Sequence, residues 1–144
     1  MASDRRAEVT WRGDLFNGSG TITGVGSGAF GPLDVTWASR AEEPSGRTSP
    51  EELIAAAHAS CYCMALSNEL AKAGTPPEEL HASATVTFVP GTGITTSALT
   101  VVGSVPGIDA DAFAAAAEAA KVGCPVSGAI AGNVGVTIEA SLQA

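Results

Sequence analysis

The stretch SPEELIAAAHASCYCMALSNELAKAG, residues 49–74, decides how the chain folds. Ser49 is a good N-cap and Pro50 suits the first helical position, where a missing N–H costs nothing. Glu51 and Glu52 sit at the positive end of the helix dipole. The pattern runs helical to about Ala73, and Gly74 with Pro76 stops it. This helix is long for a chain of 144 residues. It is apolar almost all round from Leu53 to Leu66, which predicts a helix buried on several sides.

Working outward, the residues before it read as β. Ala7, Val9 and Trp11 alternate with polar neighbours, as in a half-buried strand. Asn17-Gly18-Ser19-Gly20 is a turn signal, Thr21–Val25 continue as a second strand, and Leu33–Trp37 give a third. Residues 41–48 carry Pro44 and Gly46 and read as a loop. Beyond the helix, residues 80–89 and 94–105 alternate again around Pro90-Gly91-Thr92-Gly93, a hairpin signal. Asp109 can cap a helix over 110–121, Gly123-Cys124-Pro125 interrupts it, a short helix can follow to Ala131, and Val134, Val136 and Ile138 make a last strand. The order β-β-β-α-β-β-α-β predicts an α+β fold with antiparallel sheets, built as one domain over residues 1–144. Two sheets of three strands cannot easily cover every face of the long helix, so a second copy of the chain is expected to do so, giving a homodimer.

Composition narrows the function classes. Apolar residues at 45% allow a packed core and exclude a disordered chain. Seven Lys and Arg against fifteen Asp and Glu give a net charge of -8. With no cluster of cations to neutralise phosphates, neither nucleic acid nor an anionic membrane is an expected partner. No apolar run approaches the roughly 20 residues of a membrane span, and Met1-Ala-Ser-Asp-Arg-Arg is followed by no apolar leader segment. Three cysteines are an odd number and too few for a secreted disulfide scaffold, so a cytoplasmic protein with reduced thiols is expected.

Those thiols carry the chemistry. Cys61 and Cys63 are about 200° apart around a helix, at roughly 100° per residue, and cannot readily pair with each other. His58, Cys61 and Cys124 could in principle share a metal, but the paired C-x-x-C spacing of zinc sites is missing. Cys124 precedes Pro125, which places its sulfur at a helix start, beside free N–H groups that favour a thiolate. A merely buried, inert cysteine fits the same residues. Arg40 and Arg47 stand just before the long helix, and Glu51 lies about 15 Å from Cys61 along its axis. A guanidinium could bridge that gap, holding a thiolate on one side and a carboxylate on the other. A solvated surface role for these charges fits the spacing equally well.

Taken together, Ser49-Pro50-Glu51-Glu52-Leu53 through His58-Ala59-Ser60-Cys61-Tyr62, with Met64-Ala65-Leu66, resemble the helix motif of the OsmC/Ohr family. So do Gly123-Cys124-Pro125-Val126-Ser127, and Val105-Pro106-Gly107-Ile108-Asp109 before the second helix. Trp11-Arg12-Gly13-Asp14 with Gly18-Ser19-Gly20 resembles the OsmC branch. The resemblance spans essentially the whole chain. It implies an intertwined homodimer in which sheets from both chains wrap two long central helices, and a thiol-dependent peroxidase of the osmotic and organic-peroxide stress response. It further implies Cys61 as the peroxidatic cysteine, Cys124 as the resolving cysteine and Glu51 as the carboxylate that orients an arginine. Arg40, in Thr36-Trp37-Ala38-Ser39-Arg40, best matches that arginine. The segment up to Pro50 is about one residue longer than is common, which keeps Arg47 as a rival. Tyr62 stands where phenylalanine is usual, a difference expected to matter little. Cys63 matches no family role and reads as a packed or spare thiol, and His58 reads as a packing residue.

The implied reaction needs no flavin, haem or metal. Cys61 becomes a sulfenic acid on reducing an organic hydroperoxide, Cys124 closes a disulfide with it, and an external dithiol, a lipoyl protein or dihydrolipoamide, reopens that bond. An apolar cleft would favour organic hydroperoxides over hydrogen peroxide. The alternative is a non-catalytic relative that binds a small apolar ligand or senses oxidant through its thiols.

Overall fold

A computed structural model describes residues 1–143 of the chain. They form two compact units, residues 1–50 and residues 51–143. The first holds the antiparallel sheet β1 (Ala7–Arg12), β2 (Ser19–Val25) and β3 (Leu33–Val35), in that spatial order. The turn after β1 is tied by Asp14, whose carboxylate accepts from the Asn17 N–H at 2.7 Å. The third strand is shorter than its sequence predicts. Thr36 ends it by capping a five-residue helix, α1 (Trp37–Ala41), through a reciprocal box with Ser39. Trp37 is therefore helical rather than strand, and Arg40 lies in the same helix.

The second unit is built on α2 (Pro50–Lys72), which begins and ends within a residue or two of the expected positions. Gly74 at φ +85° provides the left-handed residue that ends it. The burial of α2 is narrower than its composition predicts. Within this chain Glu51, His58, Tyr62, Leu66 and Leu70 are buried, a single stripe at helical spacing, whereas Met64 is 72% exposed.

That stripe faces a sheet of β4 (Glu79–Val89), β5 (Gly93–Ser104) and β6 (Gly135–Leu142), with β5 in the centre. Strands β4 and β5 are an antiparallel hairpin, but β6 runs parallel to β5. The expectation of antiparallel sheets thus fails at this last strand. The reason is the connection: α3 (Ala110–Gly123) and α4 (Pro125–Ile130) carry the chain back to the end of the sheet where β5 began, and a parallel pair needs such a crossover. Asp109 caps α3 as expected, accepting from the Ala112 N–H at 2.8 Å. Phe113, Ala117 and Ala120 form the buried face of α3. With Tyr62, Leu66, Leu70, Leu99 and Val101 they make a core in which Cys124 is included.

Candidate active site

Two cysteines meet at the edge of that core. Cys61 projects from the middle of α2 and is half-buried, beside the buried stripe. Cys124 stands at a corner, closing α3 and opening α4. Its N–H donates to the Ala120 carbonyl at 2.9 Å and its carbonyl accepts from the Gly128 N–H at 3.0 Å. The corner follows from the sequence: Pro125 has no N–H to continue α3, and its fixed φ suits the first position of a new helix.

The neutral Cys124 thiol makes no capping hydrogen bond of ordinary geometry, yet it has strong reasons to ionise. Burial works against the charge, but the nearby Ser127 N–H, Cys61 thiol, Ser127 hydroxyl and Val126 N–H favour it and outweigh burial, holding the pKa below the usual thiol value. Cys61 shifts the other way. Burial pushes it up, the Val126 N–H partly offsets this, and the neighbouring Cys124 raises it further. The two thiols thus influence each other's ionisation, and of the pair Cys124 is the one that favours the thiolate. Cys63 lies apart from this pair. Burial pushes its thiol up against an opposing hydrogen bond from the Ala82 backbone.

Tyr62 contributes more than its ring. It is fully buried, and its hydroxyl donates to the Ala117 carbonyl at 3.0 Å, tying α2 to α3. A phenylalanine, the usual residue here, could not make this bond. His58 is also fully buried. Its Nδ1 lies 2.7 Å from Ser97 Oγ and its Nε2 2.8 Å from Ser127 Oγ. Burial pushes its pKa below the ordinary histidine value, so the ring is neutral near pH 7. Both ring nitrogens are thus engaged by serines. Among the described residues, no group of three or more His, Cys, Asp or Glu is arranged to hold a metal, and no helix is long and apolar enough to cross a membrane.

The charged candidates divide between the two units. Glu51 is buried in the first turn of α2. Arg40 is half-buried in the last turn of α1, whereas its rival Arg47 is exposed in the turn that its N–H closes on the Pro44 carbonyl at 2.9 Å.

The sequence profile of the OsmC-like protein family matches residues 43–139. The peroxiredoxin OsmC of Escherichia coli is 40% identical over 130 residues, covering 88% of this chain and 90% of that protein. Among solved structures, the organic hydroperoxide resistance protein OhrB of Bacillus subtilis superposes with a TM-score of 0.67 at 27% identity, covering 94% of this chain and 98% of that one. An organic hydroperoxide resistance protein OsmC from Legionella pneumophila shares the fold, with a TM-score of 0.66 at 23% identity over 94% of this chain and 96% of that one.

Proposed function

For this chain, which belongs to the OsmC-like family, we propose a thiol peroxidase that reduces organic hydroperoxides to alcohols and acts as a single domain in a cytoplasmic homodimer. The observation that carries this reading is that the free thiols of Cys61 and Cys124 share one edge of the core, one half-exposed and one buried, close enough that each shifts the other's ionisation.

Cys61 gives up its proton and its thiolate attacks one peroxide oxygen. The O–O bond breaks, Cys61 becomes a sulfenic acid, and the departing alkoxide takes a proton to leave as the alcohol. The Cys124 thiolate then attacks the Cys61 sulfur, an S–S bond replaces the S–O bond, and hydroxide leaves and is protonated to water. A dithiol, a lipoyl protein or dihydrolipoamide, reopens the disulfide by exchange and is itself oxidised. Burial alone disfavours the Cys61 thiolate, so the reaction needs a cation beside it. The resemblance to the OsmC/Ohr family assigns that role to Arg40 and makes Glu51 the carboxylate that orients it, a chemistry suited to a guanidinium. The half-burial of Arg40 against the exposure of Arg47 favours Arg40, and the buried Glu51 is a carboxylate that folding has removed from water, where a charge needs compensation.

A second copy supplies what one chain leaves uncovered. The face of α2 bearing Ala56, Ala57, Ser60 and Met64 is exposed, as is every residue of β1, Val9 and Trp11 included. Small residues and a methionine suit the close approach of another helix.

One equivalent of cumene hydroperoxide added to the reduced protein, followed by thiol mapping by mass spectrometry, tests the reading. A rapid Cys61–Cys124 disulfide with Cys63 still free is expected. Three unreacted thiols would overturn it in favour of a binding or sensing role.

A further inference from the structure

His58 is costly to bury and has no place in the reaction as written. Ser97 and His58 are both 0% exposed and Ser127 only 6%. They form one unbroken line: Ser97 Oγ to Nδ1 at 2.7 Å, Nε2 to Ser127 Oγ at 2.8 Å. The line draws its members from β5, α2 and α4. It ends beside Cys124, because Ser127 is the third residue of α4 and Cys124 its N-cap, the two positions that face each other across the first turn of a helix.

We propose that Ser97 and His58 are positioning residues which hold the Ser127 hydroxyl as a donor to the Cys124 sulfur, and so keep the resolving thiol ready to close the disulfide. The inference rests on the peroxidase reading given above.

Proton counting supports it. A neutral imidazole has one donor nitrogen and one acceptor, and each serine has one proton to give. If Nε2 carries the ring proton, it donates to Ser127 Oγ. The Ser127 proton is then released for the sulfur, and Nδ1 accepts the proton of Ser97. Every group is satisfied and the line points at a Cys124 thiolate. If the ring proton sits on Nδ1 instead, Ser127 spends its proton on Nε2 and turns a lone pair to the sulfur, which suits only a protonated thiol. The tautomer of His58 and the charge of Cys124 are therefore coupled. The first turn of α4, which starts at Cys124, favours the arrangement with the thiolate, because its free N–H groups and the positive end of the helix lie on that side. The other titratable side chains whose charge bears on Cys124 are Cys61 and Tyr62, whose phenol is held protonated by burial.

The test reads Cys124 directly. Cys61→Ser protein is alkylated with iodoacetamide across pH 6–10, and the Cys124 peptide is followed by mass spectrometry, apart from Cys63. In that background Ser127→Ala and His58→Gln are expected to move the rate–pH profile of Cys124 to higher pH. Ser97→Ala moves it the same way by less, and Ser127→Thr, which restores a hydroxyl, returns it. With Cys61 present, tenfold less thiolate is partly offset by greater intrinsic nucleophilicity. Disulfide closure after one equivalent of hydroperoxide should thus slow about threefold for each tenfold loss of thiolate. Sulfinic acid should also build up on Cys61 under excess peroxide.

A Cys124 profile unmoved by both Ser127→Ala and His58→Gln overturns the proposal. If His58→Gln fails to fold, Ser127→Ala, which deletes a single oxygen, decides alone. Because the profile is taken without peroxide, it can be read even if hydroperoxide leaves all three thiols untouched. That result would defeat the peroxidase reading and not this one.

Discussion

Replacing His58 with glutamine should make the protein less sensitive to acid, although it removes two hydrogen bonds. Burial holds the folded ring below its ordinary pKa of 6.5. In the unfolded chain the ring titrates near that ordinary value. Below it, the unfolded state binds a proton that the folded state refuses, so stability rises with pH across this window. The contribution of neutral His58 is fully present above pH 6.5 and is lost as pH falls towards the folded pKa. The limiting slope is about 1.4 kcal/mol per pH unit. From pH 7.5 to 5.5 the loss can reach at most about 1.4 kcal/mol, the limit for a folded ring that stays neutral throughout. Glutamine does not titrate. The variant should start lower, by about 1 kcal/mol for each hydrogen bond it fails to remake. The gap between the two proteins should then narrow as pH falls, by up to about 1.4 kcal/mol over those two pH units. Urea unfolding at pH 7.5, 6.5 and 5.5 measures this, at one fixed protein concentration because self-association would shift the midpoints. Both proteins carry the same carboxylates and His81, so subtraction removes their titration. A gap constant from pH 7.5 to 5.5 would mean that His58 takes up its proton as readily in the core as in water, and would refute the reasoning from burial.

The core allows three further predictions. A Cβ on Gly103 would lie 2.5 and 2.6 Å from the Phe113 ring, so Gly103→Ala should cost about 1–3 kcal/mol in urea unfolding, and adding Phe113→Leu should recover part of it. Tyr62→Phe removes the bond to the Ala117 carbonyl and should cost about 1 kcal/mol in the same assay, leaving the rate of Cys61–Cys124 disulfide formation unchanged. Asp109→Ala removes the cap of α3 and should lower stability by about 1 kcal/mol, most visibly as faster amide exchange in the first turn of that helix.

Much of this was legible in the sequence wherever a signal was local. Ser49-Pro50-Glu51 and Gly74 bracket α2 because caps act within a turn. Period-two alternation marks the strands of both sheets because neighbouring side chains alternate between faces. Cys124-Pro125 announces a helix corner because proline allows little else. The missed helix α1 also had a local signal, Thr36 and Ser39 at capping-box spacing, obscured by the apolar Leu33–Trp37 run. The remaining errors concern contacts between distant residues. Nothing near β6 fixes whether it joins β5 parallel or antiparallel. His58 reads as packing because its partners lie 39 and 69 residues away. The apolar girth of α2 predicts burial on several sides, but not which face this chain itself covers; only the stripe from Glu51 to Leu70 is covered there. Among the site residues, the pairing of Cys61 with Cys124 needed the fold as well, since helical geometry places each sulfur on its own element and not the elements together.

The corner at Cys124 bears on how this chain can tolerate change. One residue ends a fourteen-residue helix and starts a six-residue one, with its N–H committed to the turn behind and its carbonyl to the turn ahead. The sulfur is consequently aimed by the length of both helices. An insertion between Val89 and Gly93 only lengthens a hairpin tip and leaves every core contact in register. One extra residue between Ala120 and Gly128 rotates whatever follows it by about 100° and turns either the thiol or Ser127 away from the site. Variation in length should therefore gather at the hairpin and be absent from the corner, with chain length acting there as strictly as residue identity.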